Sequence, residues 1–230
     1  MAANTLSILR PSVNNLSARV LIRAAGLEFK EIDMWGKKGT PEFLAKDPAD
    51  LTPLLEAEGL PRGSLWESCA IMAYLCNKHG LTQFYPEDPG ERAMTDSAMF
   101  YLVGTLYPVV ARATYPTLSF PQYAGEVGSS QADAELKDKA VKDATDAIAM
   151  PLEAFHTFFL DGRRFIGGSS PSIADIRLAV TLEFLRSIDY DFPAWAEEDM
   201  AAVEQALGDA YSEPAAEVRD YVASTKLQPA

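Results

Sequence analysis

The chain alternates first and winds later. Residues 5–9, Thr-Leu-Ser-Ile-Leu, alternate polar and apolar and predict a strand. A polar loop, residues 10–15, follows. Residues 17–25 carry Ala18, Leu21, Ala24 and Ala25 at helical spacing, with Gly26 as the stop. Residues 29–34 predict a second strand and residues 41–45 a short helix. Two short strands, residues 51–58 and 64–66, flank a Gly/Pro turn. Ala70, Ile71, Tyr74 and Leu75 then place a helix over residues 68–78.

Residues 81–88 read as a linker, bounded by Gly80 and closed by Pro86 and Pro89. Asp88-Pro89 is a cap followed by proline in the first turn, a helix start. From there the periodicity is helical throughout. Residues 89–114 form one long pattern with a kink expected at Pro108. Residues 131–160 form a second, with Leu136, Val141, Ile148, Leu152 and Phe159 on one face and a bend expected at Pro151. Ser172-Ile173-Ala174-Asp175 has the form of a capping box, and the apolar run 176–185 behind it predicts a buried helix. Residues 194–207 and 213–223 predict two shorter helices.

The order β-α-β-α-β-β-α over the first 80 residues is that of a small thioredoxin-like domain. The fold class expected is therefore α/β plus all-α. A thioredoxin-like domain (βαβ-α-ββα) at residues 1–80 leads through a linker at 81–88 into an all-helical bundle at 89–230.

The 230 residues are 48% hydrophobic and 23% charged, enough for a substantial core. The net charge of −13 speaks against nucleic acid and against an anionic membrane surface. An anionic ligand would then need a local basic site, for which Lys37 and Lys38 are candidates, although the pair taken alone reads first as a solvated turn. No apolar run is long enough to span a membrane and no export signal is apparent. Cys69 and Cys76 read as small buried hydrophobes in a reducing compartment, so a cytoplasmic protein is expected. His79 and His156 are isolated, without metal-ligand spacing, and no metal is expected.

The chemistry concentrates in Glu67-Ser68, directly before the 68–78 helix. Unpaired N–H groups and the positive end of the helix dipole favour an anion there, and the Glu67 carboxylate can accept an ammonium. Such a pair suits a ligand carrying both charges, a free amino-acid end. A plain serine cap is the alternative.

Several stretches resemble the cytosolic glutathione transferases, with local similarity to their theta and delta/epsilon classes. Asp47-Pro48-Ala49-Asp50-Leu51-Thr52-Pro53-Leu54-Leu55 is similar to the family's Asn-Pro-x-x-x-Val-Pro-x-Leu, whose second proline is cis. Glu67-Ser68-Cys69-Ala70-Ile71 with Tyr74-Leu75 matches Glu-Ser-x-Ala-Ile-x-x-Tyr-Leu. Gly168 with Ser172-Ile173-Ala174-Asp175 matches the motif of the helical domain. Gly104-Thr105-Leu106-Tyr107, with Tyr115-Pro116 downstream, resembles the helix that lines the electrophile pocket. The resemblance spans nearly the whole chain. It implies glutathione as co-substrate with no cofactor, and a homodimer. It also implies that Glu67 and Ser68 hold the γ-glutamyl end, that Thr52 before Pro53 offers backbone to the cysteinyl unit, and that Lys38 lies near the glycine carboxylate. Tyr107, Arg112 and Trp35 are the candidates for the electrophile pocket.

One departure stands out. Related classes carry a catalytic serine six residues before a helix valine. With Val20 in that role, the position holds Asn14. A thiol of pKa about 8.5 attacks only as thiolate, and a hydrogen-bond donor aimed at the sulfur favours that form. The amide N–H of Asn14 or Asn15 is such a donor, with Ser12 and Ser17 behind them; simple capping of the first helix is the alternative. The function expected is addition of the glutathione thiolate to a small apolar electrophile: an epoxide, an alkyl halide or an activated alkene. Glutathione-dependent peroxidase or thiol lyase chemistry, and a non-catalytic glutathione-binding scaffold, are the competing readings.

Overall fold

A computed structural model describes residues 4–120 and 134–226. Its one sheet lies at the start of the chain. β1 (Thr5–Ile8) runs parallel to β2 (Lys30–Asp33) and antiparallel to β3 (Leu54–Glu56), and β4 (Ser64–Trp66) pairs with β3, giving the order β2-β1-β3-β4. The parallel pair needs a crossover, which α1 (Val13–Ala24) supplies. Leu6, Ile8 and Leu55 turn to the main core with α1 and with α3 (Ser68–His79). Leu54, one residue from Leu55, points to the opposite face. There it meets Met34, just after β2, and Phe43 of α2 (Pro41–Lys46), as the two-residue period of a strand requires.

Two expectations for this region are corrected. α1 begins at Val13, one turn earlier than the pattern from residue 17 implied. Val13 and Leu16 are fully buried and carry the apolar stripe back through what reads as a polar loop. The two asparagines between them bond outward to other segments rather than to the helix backbone. β3 is also shorter than residues 51–58, because Asp50 sits at positive φ and Pro53 has no N–H to give to the sheet.

Beyond Trp66 every named element is a helix. The long pattern from Pro89 divides into α4 (Pro89–Tyr101), a π-helical turn (Leu102–Leu106) and α5 (Tyr107–Leu118). The expected kink at Pro108 thus takes the form of a π turn. The wider turn precedes the proline, which lacks the N–H that an uninterrupted ladder would need. The second pattern, whose first residues 131–133 lie outside the described ones, breaks between α6 (Ala134–Asp146) and α7 (Ala149–Phe155). The break is at residues 147–148, where the ring of Pro151 would meet the carbonyl four residues back. A second π turn (His156–Leu160) ends α7.

Ser172 and Asp175 form the expected capping box at α8 (Ile173–Leu182), which continues as a 3₁₀ turn (Glu183–Ile188). Asp175 also accepts the N–H groups of Ile166 and Gly167, so one buried carboxylate fastens the preceding loop to the helix. α9 (Ala194–Leu207) matches its pattern. α10 (Asp209–Lys226) starts four residues before the expected 213, because fully buried Tyr211 anchors the extra turn through its hydroxyl to Glu183.

α10 packs along α1, and charge joins the two units. The fully buried Arg19 guanidinium takes both oxygens of Glu31 on β2 at 2.9 and 3.0 Å and Glu217 on α10 at 2.9 Å. Arg10 and Arg23 pair with Glu217 and Glu213 around it. A buried guanidinium with two carboxylates is compensated, so losing either partner would leave a charge without its counter-ion. Among the described residues, no helix is long and apolar enough to cross a membrane.

Candidate active site

The amino end of α1 is the point to which distant segments are tied. Ser12 occupies the cap position with extended backbone but makes no side-chain cap bond. Asn14, in the first turn, is half-buried. Its Nδ2 donates to the hydroxyl of Tyr107 at 2.9 Å, and its Oδ1 accepts from Arg177 at 2.5 Å. Asn15 is fully buried and donates to Thr52 Oγ1 at 3.2 Å. Neither asparagine amide caps α1, so the capping alternative fails for both. The Thr52–Pro53 peptide is cis, as the family resemblance implied.

The amino end of α3 is built differently from a plain serine cap. Glu67 holds the cap position at φ 74°, ψ 111°, a backbone conformation rare for a residue with a Cβ, and makes no side-chain cap bond. Ser68 is the first helical residue and is buried, while the Glu67 side chain is exposed. Cys69, next in the chain, is bonded to Ser68 and to Arg177, and burial pushes its thiol up against the pull of that guanidinium. Burial thus disfavours the Cys69 thiolate, which speaks against a second nucleophile here.

Arg177 was missed in the sequence. It lies on α8, 1% exposed, and reaches Asn14 at one helix terminus and Cys69 at the other. Its guanidinium also lies 4.9 Å from the centre of the Tyr107 ring. The available signal was an arginine inside the apolar run 176–185, a position where a charge is costly unless it is used.

Beyond Asn14 stands an aromatic wall. The hydroxyls of Tyr107 and Tyr115 are 2.6 Å apart. Tyr115 meets Phe120 edge-on at 5.3 Å, Phe120 stacks on Tyr221 at 5.6 Å, and Tyr221 meets Trp35 at 6.0 Å. Tyr115, Phe120 and Tyr221 thus join the predicted Tyr107 and Trp35. Tyr115 belongs to the motif that resembles the pocket helix, whereas periodicity gives no hint that the last helix returns to the site.

The remaining candidates separate. Ser17 is fully buried and donates to the carbonyl of Asn14 at 2.8 Å, so its hydroxyl supports the turn from behind. Lys38 makes no ion pair among the described residues and is half-exposed, whereas Lys37 bonds the carbonyl of Asp33 at 3.0 Å. Arg112 is exposed and reaches the carbonyl of Pro108 at 3.4 Å. Among the described residues no group of three or more His, Cys, Asp or Glu could hold a metal ion.

Two helix amino ends and one buried guanidinium therefore share one corner, which has the potential to hold an anion. Residues 3–77 match the family model for the glutathione S-transferase N-terminal domain, and residues 138–201 the model for the C-terminal domain. Among solved structures, the Bombyx mori glutathione transferase BmGSTD1 in complex with GTT is 27% identical. It covers 98% of each chain with a TM-score of 0.79. A delta-class glutathione transferase of Nilaparvata lugens is 25% identical, covering 96% of this chain and 99% of its own, with a TM-score of 0.73. Human glutathione-S-transferase T1-1, at 20% identity, shares the fold with a TM-score of 0.80 over 96% of this chain and 91% of its own. The chain belongs to the glutathione S-transferase family and is a glutathione-conjugating enzyme.

Proposed function

We propose that this enzyme adds the glutathione thiolate to a small apolar electrophile: an epoxide, an alkyl halide or an activated alkene. The observation that carries this reading is the Asn14 amide, which donates to Tyr107 at the foot of the aromatic wall. Its Nδ2 has two hydrogens, and Tyr107 is its one acceptor among the described residues, so the second is available to a sulfur. The γ-glutamyl end would lie on Glu67 and Ser68, carboxylate toward the open end of α3 and ammonium toward Glu67. Thr52 would take the cysteinyl backbone, and Lys38 the glycine carboxylate. The thiolate then attacks the electrophilic carbon. A halide leaves with its electron pair, or an epoxide oxygen or alkene carbon takes up the pair and afterwards a proton.

The reading includes a division into a glutathione-binding unit at 1–80, a connector at 81–88 and a helical unit at 89–230 that forms the electrophile pocket. It also includes a cytoplasmic homodimer that uses no cofactor. The exposed Phe100 and Trp66, on α4 and the edge strand β4, support a surface that a second copy covers.

Turnover against a panel tests the reaction. Conjugation of at least one small epoxide, halide or alkene is expected to exceed reduction of any hydroperoxide. Hydroperoxide reduction alone would establish the peroxidase reading, and tight glutathione binding without turnover the scaffold. Glu67→Ala and Ser68→Ala should each weaken glutathione binding by roughly 1.5–3 kcal/mol, the value of a charge-assisted hydrogen bond at a partly buried site. Calorimetry reads this directly. Unchanged affinity in both variants would return the motif to a structural role.

A further inference from the structure

Arg177 is a buried charge with no ion-pair partner among the described residues. Its neighbours are neutral: the amide oxygen of Asn14 at 2.5 Å, the carbonyl of Val13 at 3.5 Å, the Cys69 thiol and the face of Tyr107. Its Nε has no hydrogen-bond partner among the described residues, and none of their ion pairs includes it. The other buried arginine of the core, Arg19, is held by two carboxylates. Buried charges are normally compensated, and an uncompensated one is costly. The anion this guanidinium faces is therefore one that arrives with the substrate.

The guanidinium also decides which way Asn14 points. Arginine has donors only, so the amide group facing it must be the oxygen. The Nδ2 group is thereby turned to Tyr107 and the open end of α1. A flipped amide would present lone pairs to a thiolate and repel it. Asn14 alone has no preference between the two orientations.

We propose that Arg177 is the positioning residue of this site: it locks the Asn14 amide with its N–H groups toward the glutathione sulfur and supplies the positive charge behind it. The inference rests on the reading that Asn14 serves the thiolate. In its terms, Arg177 touches neither substrate nor sulfur and acts through Asn14.

Two measurements test it, the ultraviolet absorbance of bound thiolate titrated against pH and the separation of kcat from KM for glutathione. Arg177→Gln removes the charge and introduces an acceptor. It is expected to raise the pKa of the bound thiol by about one unit or more, the scale of a nearby opposite charge. At neutral pH kcat should fall ~10-fold or more, recovering as the pH is raised, with KM for glutathione changed less than kcat. A merely structural role would lower the melting temperature and leave the titration in place. That result, or a wild-type titration and pH profile, overturns the proposal.

Asn14→Asp keeps Arg177 and serves if Arg177→Gln does not fold. A carboxylate at this position would pair with the guanidinium, so the ligand-free variant should melt at a higher temperature than wild type while its bound thiol titrates higher. An unchanged or lower melting temperature would show that the buried charge was never uncompensated. The underlying reading fails separately. If Asn14→Ala leaves the titration unmoved, the sulfur is served by another group. If Asn14→Ala moves it and Arg177→Gln does not, only the role of Arg177 is lost.

Discussion

Replacing Asn14 by alanine is expected to lower turnover ~10²-fold at neutral pH while glutathione binds almost normally. This is the scale of removing one preorganised donor from a developing or resident anion. The binding energy of glutathione is assigned to Glu67, Ser68, Thr52 and Lys38, none of which is hydrogen-bonded to the Asn14 side chain. The loss should therefore fall on kcat and on the titration of the bound thiol rather than on KM. The substitution also leaves the Arg177 guanidinium without its shortest bond, so a modest drop in melting temperature is expected alongside. Tyr107 keeps Tyr115 as a partner, so the wall should survive. Stopped-flow turnover and the thiolate titration together check the effect. If Asn14→Ala is silent in both and Ser12→Ala abolishes them, the half-buried cap serine is the donor and the enzyme is of the serine type.

Much of this was legible because short-range rules applied. Ser172 and Asp175 announced α8 through a reciprocal cap that needs only three-residue spacing. Glu67-Ser68 marked a candidate anion site because the helix amino end at Ser68 follows from the pattern alone. What escaped depends on contacts between distant segments. Nothing local says that Asn14 meets Tyr107, 93 positions away, or Arg177, 163 positions away. Val13 and Asn15 read as loop because tertiary burial of Val13 and Leu16, rather than propensity, adds the first turn of α1. Likewise Pro108 promised a kink, but whether it would be a bend or a π turn depends on packing around Leu102 and Leu106, both fully buried.

The contribution of Asp199 to stability is expected to fall as the pH rises from about 4 to about 8. The residue lies on α9, 6% exposed, and neither of its carboxylate oxygens has a hydrogen-bond partner among the described residues; the indole N–H of Trp195, one turn earlier, has none either. Burial is the main cause that pushes its pKa up to about 8; the Asp175 carboxylate adds to the shift and Arg164 partly offsets it. An unfolded aspartate titrates near 3.9. Between these two values the native chain holds a proton that the unfolded chain has released. The stabilisation is fully present below about pH 4 and is lost at up to ~1.4 kcal/mol per pH unit until the native group ionises near 8. Asp199→Asn is neutral at every pH and should remove this slope. The variant should gain on the order of 3–5 kcal/mol over wild type at pH 8, and far less at pH 4. Urea unfolding of both proteins across this range measures the difference, in which all other titrating groups cancel. Parallel stability curves would mean that Asp199 is ionised in the native state, and that Arg164 or bound water stabilises its carboxylate.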